Sequence, residues 1–555
     1  KRTPIGGRNF EYFSEDPFLT GRLAGSYIDG VQSQGVGCAL KHFYANNTEF
    51  NRLEVDVHMD ERTRREIYLA AFEYIIKNHH PMTVMAAYNR TEGVLCTESY
   101  RNLTEILREE WGFDGLVMSD WWAIRNTVER LRAGCNLEMP YVSERSWREI
   151  VAAVESGALS EEQLDAMAQG VLDLISRFKD AEKTEAQSLD LVAGHAAAVH
   201  AAEKCIVLLK NGGCLPLGED FCFIGLQAKD PSVQGAGSSR VNAPYVSDCL
   251  HAMSLLRGKE IPYCDGYAYG ERQEHLLDEA CALAACHTCA VVFLGYAADV
   301  ECESEDRSSM DLPAWQNELV ERVTSVNRNT VVVLQTGAPV SMPWAKDACA
   351  IVQAGLLGEG SGEAVAAVLT GKICPGGRLA ETYPVRLEDN PSYKSFARHW
   401  EYLDYEEGLR TGYRYYLSEN VAPLFPFGYG LSYTQFCYSG MTVRCENGEI
   451  IAEADVRNAG VYDGDEVVQL YVSLPESQIF RTGRELKGFQ RVFIPKGETR
   501  HVTIRLAISD LAYYNTEEAG WRVENGTYLF EFARDALTPI CAMRLAVKES
   551  ALYGG

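Results

Sequence analysis

In the first part of the chain, short apolar runs alternate with stretches whose apolar residues recur every three to four positions. The runs at 36–43, 82–88, 115–119 and 135–139 predict buried strands. Between the first two, the segment 61–77 predicts an amphipathic helix with Ile67, Ala70, Ala71, Tyr74 and Ile75 on one face and Asp60 as its N-cap. Strand–helix alternation of this kind implies a parallel sheet or a β/α barrel, and a closed barrel needs about eight strands. Residues 180–194 are charged and small and read as a linker. A helix is predicted at 196–203 and a strand at 206–210, followed by buried-strand runs at 221–226, 290–294 and 331–334, with a helix over 276–285. That is a second α/β region. An aromatic-rich connector spans 386–433. Beyond it the pattern switches to period two, at 467–472, 491–494 and 500–506, with Gly and Asn turns between, the signature of a β-sandwich. The expected domains are thus 1–180, 195–385 and 434–550, with the connector 386–433 before the last.

Composition narrows the class. At 555 residues the chain is too long for one core. No run of about eighteen apolar residues predicts a transmembrane helix, so no membrane partner is expected. The opening residues show no signal-peptide pattern. The lack of an initiator Met leads us to expect that the chain's N-terminal part is missing. A net charge of -26 argues against a nucleic-acid partner and suits a protein acting on neutral substrates. The 17 cysteines follow no framework, and many sit in apolar runs such as Phe221-Cys222-Phe223. They read as reduced thiols in a cytoplasmic protein. The sequons at Asn46, Asn89, Asn102 and Asn525 carry no weight without a secretion signal.

One stretch carries candidate chemistry. The apolar run Gly115-Leu116-Val117-Met118 ends in Ser119-Asp120-Trp121-Trp122. A buried strand delivering a carboxylate to its C-terminal end, beside indoles, is how a barrel enzyme presents a nucleophile to a sugar. Asp is equally a favoured N-cap, and these residues alone leave both readings open.

Further motifs decide. Gly7-Arg8-Asn9-Phe10-Glu11, Lys41-His42-Phe43-Tyr44-Ala45-Asn46-Asn47, Ser119-Asp120-Trp121, Asn136-Leu137-Glu138-Met139-Pro140, Ile206-Val207-Leu208-Leu209-Lys210-Asn211, the run 423–433 and Glu485-Leu486-Lys487-Gly488-Phe489 occur in order. In these motifs the chain resembles glycoside hydrolase family 3, the β-glucosidase family. The resemblance implies a multidomain α/β plus β architecture: a β/α barrel, present here in part, then an α/β sandwich, then a fibronectin type III-like β-sandwich.

The resemblance also implies chemistry. Asp120 matches the family's nucleophile. The loop Glu301-Cys302-Glu303-Ser304-Glu305-Asp306-Arg307 resembles the one that carries the acid/base, and placing Asp306-Arg307 on the motif makes Glu303 that residue. Ser304 and Glu305 replace the usual Gly and aromatic, so Glu301 and Glu305 are rivals. Like charges nearby are expected to raise the pKa of Glu303 toward the acid role. By resemblance Arg8, Lys41 and His42 bind sugar hydroxyls, Tyr88 contacts the nucleophile and Trp121 stacks on the sugar. Trp122, where small Gly is common, would narrow the site. The family's first barrel strands, and an aspartate that grips the sugar's far hydroxyls, have no counterpart, so the chain alone is expected to be poorly soluble or inactive.

The implied function is a retaining, exo-acting β-glucosidase that hydrolyses terminal β-D-glucosyl residues by a two-carboxylate double displacement. The alternatives are a non-catalytic carbohydrate-binding or scaffold remnant and a β-xylosidase-like specificity. The run after Lys41-His42 argues against the family's N-acetylhexosaminidase branch. A small carbohydrate is the expected partner, and a homo-oligomer is left open. No cofactor and no metal are expected, since no His/Glu ligand cluster occurs. The spacing Cys281-x4-Cys286-x2-Cys289 is that of a ferredoxin, but it lies in an Ala/Leu helix without a Gly-rich loop. Gly358-Glu359-Gly360-Ser361-Gly362 lacks a dinucleotide loop's glycine spacing, and Glu359 and Glu363 would repel phosphate.

Overall fold

The computed structural model describes residues 1–179, 189–396, 399–548 and 552–553. Helix α1 (Pro17–Gln32) begins on Asp16, whose side chain accepts the Leu19 amide. Three parallel strands follow, β1 (Ala39–Phe43), β2 (Thr83–Ala86) and β3 (Leu116–Ser119), paired in that order. The helix expected at 61–77 forms from Glu61 to His79, with a π-helical stretch, Arg64–Leu69, ahead of α2 (Ala70–His79). Asp60 caps it by accepting the Thr63 amide.

The run 135–139 is not a strand. It contributes one bridge, Met118 to Leu137, because the Asn136 side chain takes the Val117 amide at 3.0 Å where a strand carbonyl would stand. The other edge, β1, borders a cavity of 510 Å³ lined by Leu40, Lys41 and His42 together with Ile28, Phe72 and Ile75. A barrel is therefore not closed by the described residues.

The second sheet holds β4 (Val207–Asn211), β5 (Phe221–Ile224), β6 (Tyr263–Cys264), β7 (Cys289–Gly295), β8 (Thr330–Gln335) and β9 (Ala350–Gln353), in the order β4-β9-β8-β7-β5-β6. All neighbours are parallel except β4 and β9. Helices cover both faces, which is why its central strands read as unbroken apolar runs. On β7, Val292 and Leu294 pack with Leu319 and Val323, while Val291 and Phe293 pack with Met253 and Val365. From β5 the chain moves outward to β6 and then returns to the opposite side at β7, so the carboxyl ends of β5 and β7 form a topological switch point, where such sheets bind ligands.

The third part is an antiparallel sandwich. One sheet pairs β10 (Phe436–Glu446), β11 (Glu449–Asn458) and β14 (Thr499–Ala507). The other pairs β12 (Gly464–Ser473), β13 (Glu485–Ile494), β15 (Gly526–Asp535) and β16 (Thr538–Val547). Alternate residues such as Ile450, Ala452, Leu470, Val472, Phe530 and Phe532 fill the space between them. The connector folds back on the first region: Tyr402–Asp404 pairs with Asp56–His58, and Arg414 meets Asp16 at 2.8 Å.

Of the predicted linker, 180–188 lies outside the described residues, and from Leu191 the chain is already helical, Leu191–Cys205. His195 of that helix sits between Glu359 at 3.0 Å and Glu363 at 3.1 Å, so Gly358–Gly360 is a structural turn. The reduced-thiol reading fails at one pair: Cys214 and Cys349, both partly exposed, form a disulfide, while the other cysteines are free. Among the described residues no helix is long and apolar enough to cross a membrane.

Candidate active site

Three strand ends place the first group of side chains. Asp120 follows β3, and its amide still pairs with Ala86 of β2 at 3.2 Å. Asp120 is 6% exposed. Oδ1 accepts the Trp121 amide at 2.8 Å, while Oδ2 is buried without a hydrogen-bond partner, 3.5 Å from His42 Nε2. Asp120 is not an N-cap: the next helix, Thr127–Ala133, starts on Asn126. Burial pushes the Asp120 carboxyl up from its ordinary range, against the Trp121 amide, Tyr88, Arg8 and Lys41, which favour the anion.

His42 stands at the end of β1, buried. Burial and then the cations Arg8, Lys41 and Arg52 push it well below the ordinary histidine range, so the imidazole beside Asp120 is neutral at neutral pH. Lys41 is exposed and free of carboxylate partners among the described residues. Tyr88 lies just beyond β2. Burial and then Asp120 raise its phenol, and Glu303 acts in the same direction. Trp121 is half-exposed beside the nucleophile candidate, at 38%.

The second group comes from the switch point of the second sheet. The loop after β5 and the loop after β7 run side by side, with Ala236 bridged to Cys302. Glu303 Oε2 accepts the Ser238 amide at 2.9 Å, and Oε1 meets Arg52 at 3.0 Å and Arg8 at 3.5 Å. Gly237 has φ +104°, and a Cβ there would meet the Glu303 Cβ at 2.5 Å, so this close approach requires glycine. Arg8 is itself held by Glu11 through two bonds of 2.8 Å.

The electrostatic expectation for Glu303 is reversed. Burial alone would raise it, but the Ser238 donors with Arg8 and Arg52 outweigh burial and hold it down at about 2. The two rival glutamates bind none of the groups that hold it. Glu301 is buried on the other side, where it accepts the Gly337 amide at 2.8 Å and lies near Arg307 and Lys1. The Glu305 side chain is exposed. Of the three glutamates, Glu303 shares Arg8 with Asp120.

Sequence reasoning missed three groups. Arg52 binds Glu303 and Glu49 and lies 4.6 Å from the centre of the Tyr88 ring. Asp306 accepts the Gly7, Glu49 and Phe50 amides at 2.8 to 2.9 Å and the Thr48 hydroxyl at 2.8 Å, fastening the Glu303 loop across the domain boundary. Ser238 lies in Gly235-Ala236-Gly237-Ser238-Ser239, a small-residue run within the loop after β5, which was a usable signal. Arg52 had none, being one cation in a polar loop.

Comparisons with known proteins agree along the chain. Residues 1–174 match the glycosyl hydrolase family 3 N terminal domain, 206–433 the family 3 C-terminal domain, and 466–536 a fibronectin type III-like domain. The first match begins at residue 1, so the expectation that the N-terminal part is absent finds no support in it. Thermostable beta-glucosidase B of Acetivibrio thermocellus is 44% identical over 547 residues, covering 97% of this chain and 72% of that protein. An exo-alpha-(1->6)-L-arabinopyranosidase of Bifidobacterium breve is 40% identical, covering 96% of this chain and 72% of that protein. The crystal structure of a Bifidobacterium adolescentis family 3 beta-glucosidase superposes with a TM-score of 0.95 at 38% identity, covering 99% of this chain and 82% of that one. With family matches over most of its length and a relative 44% identical over 97% of it, the chain belongs to glycoside hydrolase family 3.

Proposed function

We propose that this chain is a retaining, exo-acting β-glucosidase releasing terminal β-D-glucosyl residues from glycosides and short oligosaccharides. The observation that supports the reading is Arg8, which meets Glu303 at 3.5 Å and also favours the Asp120 anion across a domain boundary. Asp120 Oδ2, the oxygen without a partner, attacks the anomeric carbon. The glycosidic C–O bond breaks as a proton from Glu303 goes to the departing oxygen, and the sugar stays bonded to Asp120. Glu303 then takes a proton from water, which displaces Asp120 and releases glucose with its configuration retained. Arg8, Lys41 and His42 bind the sugar hydroxyls, Tyr88 orients Asp120, and Trp121 covers the sugar's apolar face.

The test is hydrolysis of an aryl β-glucoside by the 555-residue chain. α-Glucose as the first product would overturn retention, and full activity of Asp120→Asn would overturn the assignment of the nucleophile. Labelling of Asp120 by a fluoro-sugar inactivator would exclude a binding-only remnant. The 40% identity to an arabinopyranosidase favours one second reading, an α-L-arabinopyranoside as the preferred substrate. Aryl α-L-arabinopyranoside and β-D-xyloside therefore belong in the same assay. The cytoplasm stays the proposed setting, on the free cysteines alone.

A further inference from the structure

The second domain carries a disulfide, Cys214–Cys349, that the catalytic reading does not use. Cys214 follows β4, the strand that runs against its neighbour, and Cys349 precedes β9. The two are 135 positions apart in the chain, with Cα atoms 6.3 Å apart. β4 is also where the connector docks. Leu431 bridges Leu208, and the Tyr429 hydroxyl donates to the Leu209 carbonyl at 3.2 Å. The disulfide thus fastens the edge strand that holds the approach to the sandwich. It stands at the amino end of β9, whereas Ser238 and Glu303 lie on loops beyond the carboxyl ends of β5 and β7.

Backbone bonds hold each cysteine in place whether the disulfide is open or closed. The Cys349 amide donates to the Thr330 carbonyl at 2.8 Å, and its carbonyl accepts the Gly212 amide at 2.8 Å. The turn that holds Cys214 is closed by Asn211. Its Oδ1 accepts the Gly213 and Leu215 amides at 3.0 and 3.2 Å, and its Nδ2 donates to the Leu215 carbonyl at 2.9 Å. The open form has a partner of its own. Asn329 Oδ1 lies 3.9 Å from Cys214 Sγ, oriented by Asn329 Nδ2, which donates to the Thr288 carbonyl at 3.0 Å. A disulfide sulfur carries no proton, so that acceptor serves only the thiol. Both cysteines are partly exposed, which gives thiols in solution access to the pair.

We propose that Cys214–Cys349 is a thiol–disulfide exchange site, opened and closed by small thiols of the glutathione class in the folded protein, whose state sets the chain's heat stability. In opening, a glutathione thiolate attacks one sulfur of the pair. The S–S bond breaks, a mixed disulfide forms, and the other cysteine leaves as a thiolate and takes up a proton. A second glutathione thiolate displaces the remaining protein sulfur, which is protonated in turn. The products are two protein thiols and one oxidised glutathione, and excess oxidised glutathione runs the same steps backwards. Opening releases the unfolded chain from a long closed loop and so favours unfolding.

The experiment equilibrates the full chain in buffers of varied reduced-to-oxidised glutathione ratio. Free thiols are trapped with iodoacetamide, and the paired fraction is read by peptide mass spectrometry. The expected result is a reversible transition with the circular dichroism spectrum unchanged across it. The open form melts about 5 °C lower than the closed one. The Cys214→Ser/Cys349→Ser double variant melts like the open form in every buffer. That result assigns the shift to this pair rather than to the exposed thiols Cys205, Cys286, Cys437 and Cys445. Asn329→Ala, which takes the acceptor from the thiol, changes the half-opening ratio about threefold in favour of the closed form. An unmoved ratio overturns the part given to Asn329. A pair that never closes, that opens only with loss of the circular dichroism signal, or whose state leaves the melting temperature unmoved overturns the proposal. So does a double variant whose melting still follows the glutathione ratio. If the double variant does not fold, the parent decides alone, since its trapping and melting curves need no variant.

Discussion

Glu303 has to carry a proton that its surroundings hold off. Arg52 and Arg8 and the Ser238 amide stabilise its anion and keep it at about 2, so the acid step becomes available only when those contacts loosen. Removing a cation raises a carboxyl pKa by about 1 to 3 units. Arg52→Met should therefore move the alkaline limb of kcat/KM for cellobiose upward by about one pH unit. The limb for dinitrophenyl glucoside, which needs no proton donor, should stay in place; if the cellobiose limb also stays, Arg52 does not set this acidity. Glu303→Ala should lose at least about a hundredfold on cellobiose, far less on the activated glucoside, and recover with azide. Glu301→Ala and Glu305→Ala should do neither, and azide rescue of either one would mean that the loop is misread by two residues. At this scale Asp120 was legible as a candidate, since a strand end, a carboxylate and an indole occur together in the sequence, and the structure leaves it at that strand end and outside any helix cap. The charge state of Glu303 was not, since the groups that set it come from residues 8, 52 and 238.

Loops at strand ends position all of this, and one carboxylate fastens two of them together. Asp306 satisfies three backbone amides and a hydroxyl from 7 and 48–50. Losing the acceptor strands those donors at a partly buried seam, where each costs about 1 to 3 kcal/mol if water does not reach it. Asp306→Ala should lower unfolding stability by about 3 kcal/mol and reduce kcat/KM at least tenfold, both readable from a denaturant titration and a rate assay. A variant that keeps full activity would show that the Glu303 loop holds its place without the staple. Elements were the most legible level. Runs such as 290–294 and 331–334, short, β-branched and apolar on both faces, favour a covered strand, and the helix after Asp60 begins on the predicted residue. Where prediction failed, at 135–139, the cause is local: Asn136 inserts its side chain into the ladder. Pattern alone does not reveal that a polar residue will do so.

Whole-molecule assembly carries its own pH dependence. Glu15 is buried where the chain's start meets the connector, accepting the Thr382 amide and hydroxyl and the Tyr413 amide, and burial raises it to about 7 despite those donors. Its unfolded pKa is about 4.3, so its contribution to stability is fully present below that value and is lost as pH rises through about 7. The stake is about 4 kcal/mol, since one pKa unit is worth about 1.4. Glu15→Gln, which keeps an acceptor and cannot ionise, should flatten the fall in denaturant midpoint between pH 4.5 and 7.5, and an unchanged slope would assign that fall to other groups. Which sheets would meet was not legible in the sequence, because the bonds across the seam join residues about three hundred positions apart, as in Gly7 with Asp306. That seam has a further consequence. Asp120 belongs to one folded body and Glu303 to another, so turnover reports their alignment rather than the integrity of either core. On gradual warming, the heat-inactivation temperature should therefore fall below the calorimetric transition, the two bodies slipping out of register while each remains intact.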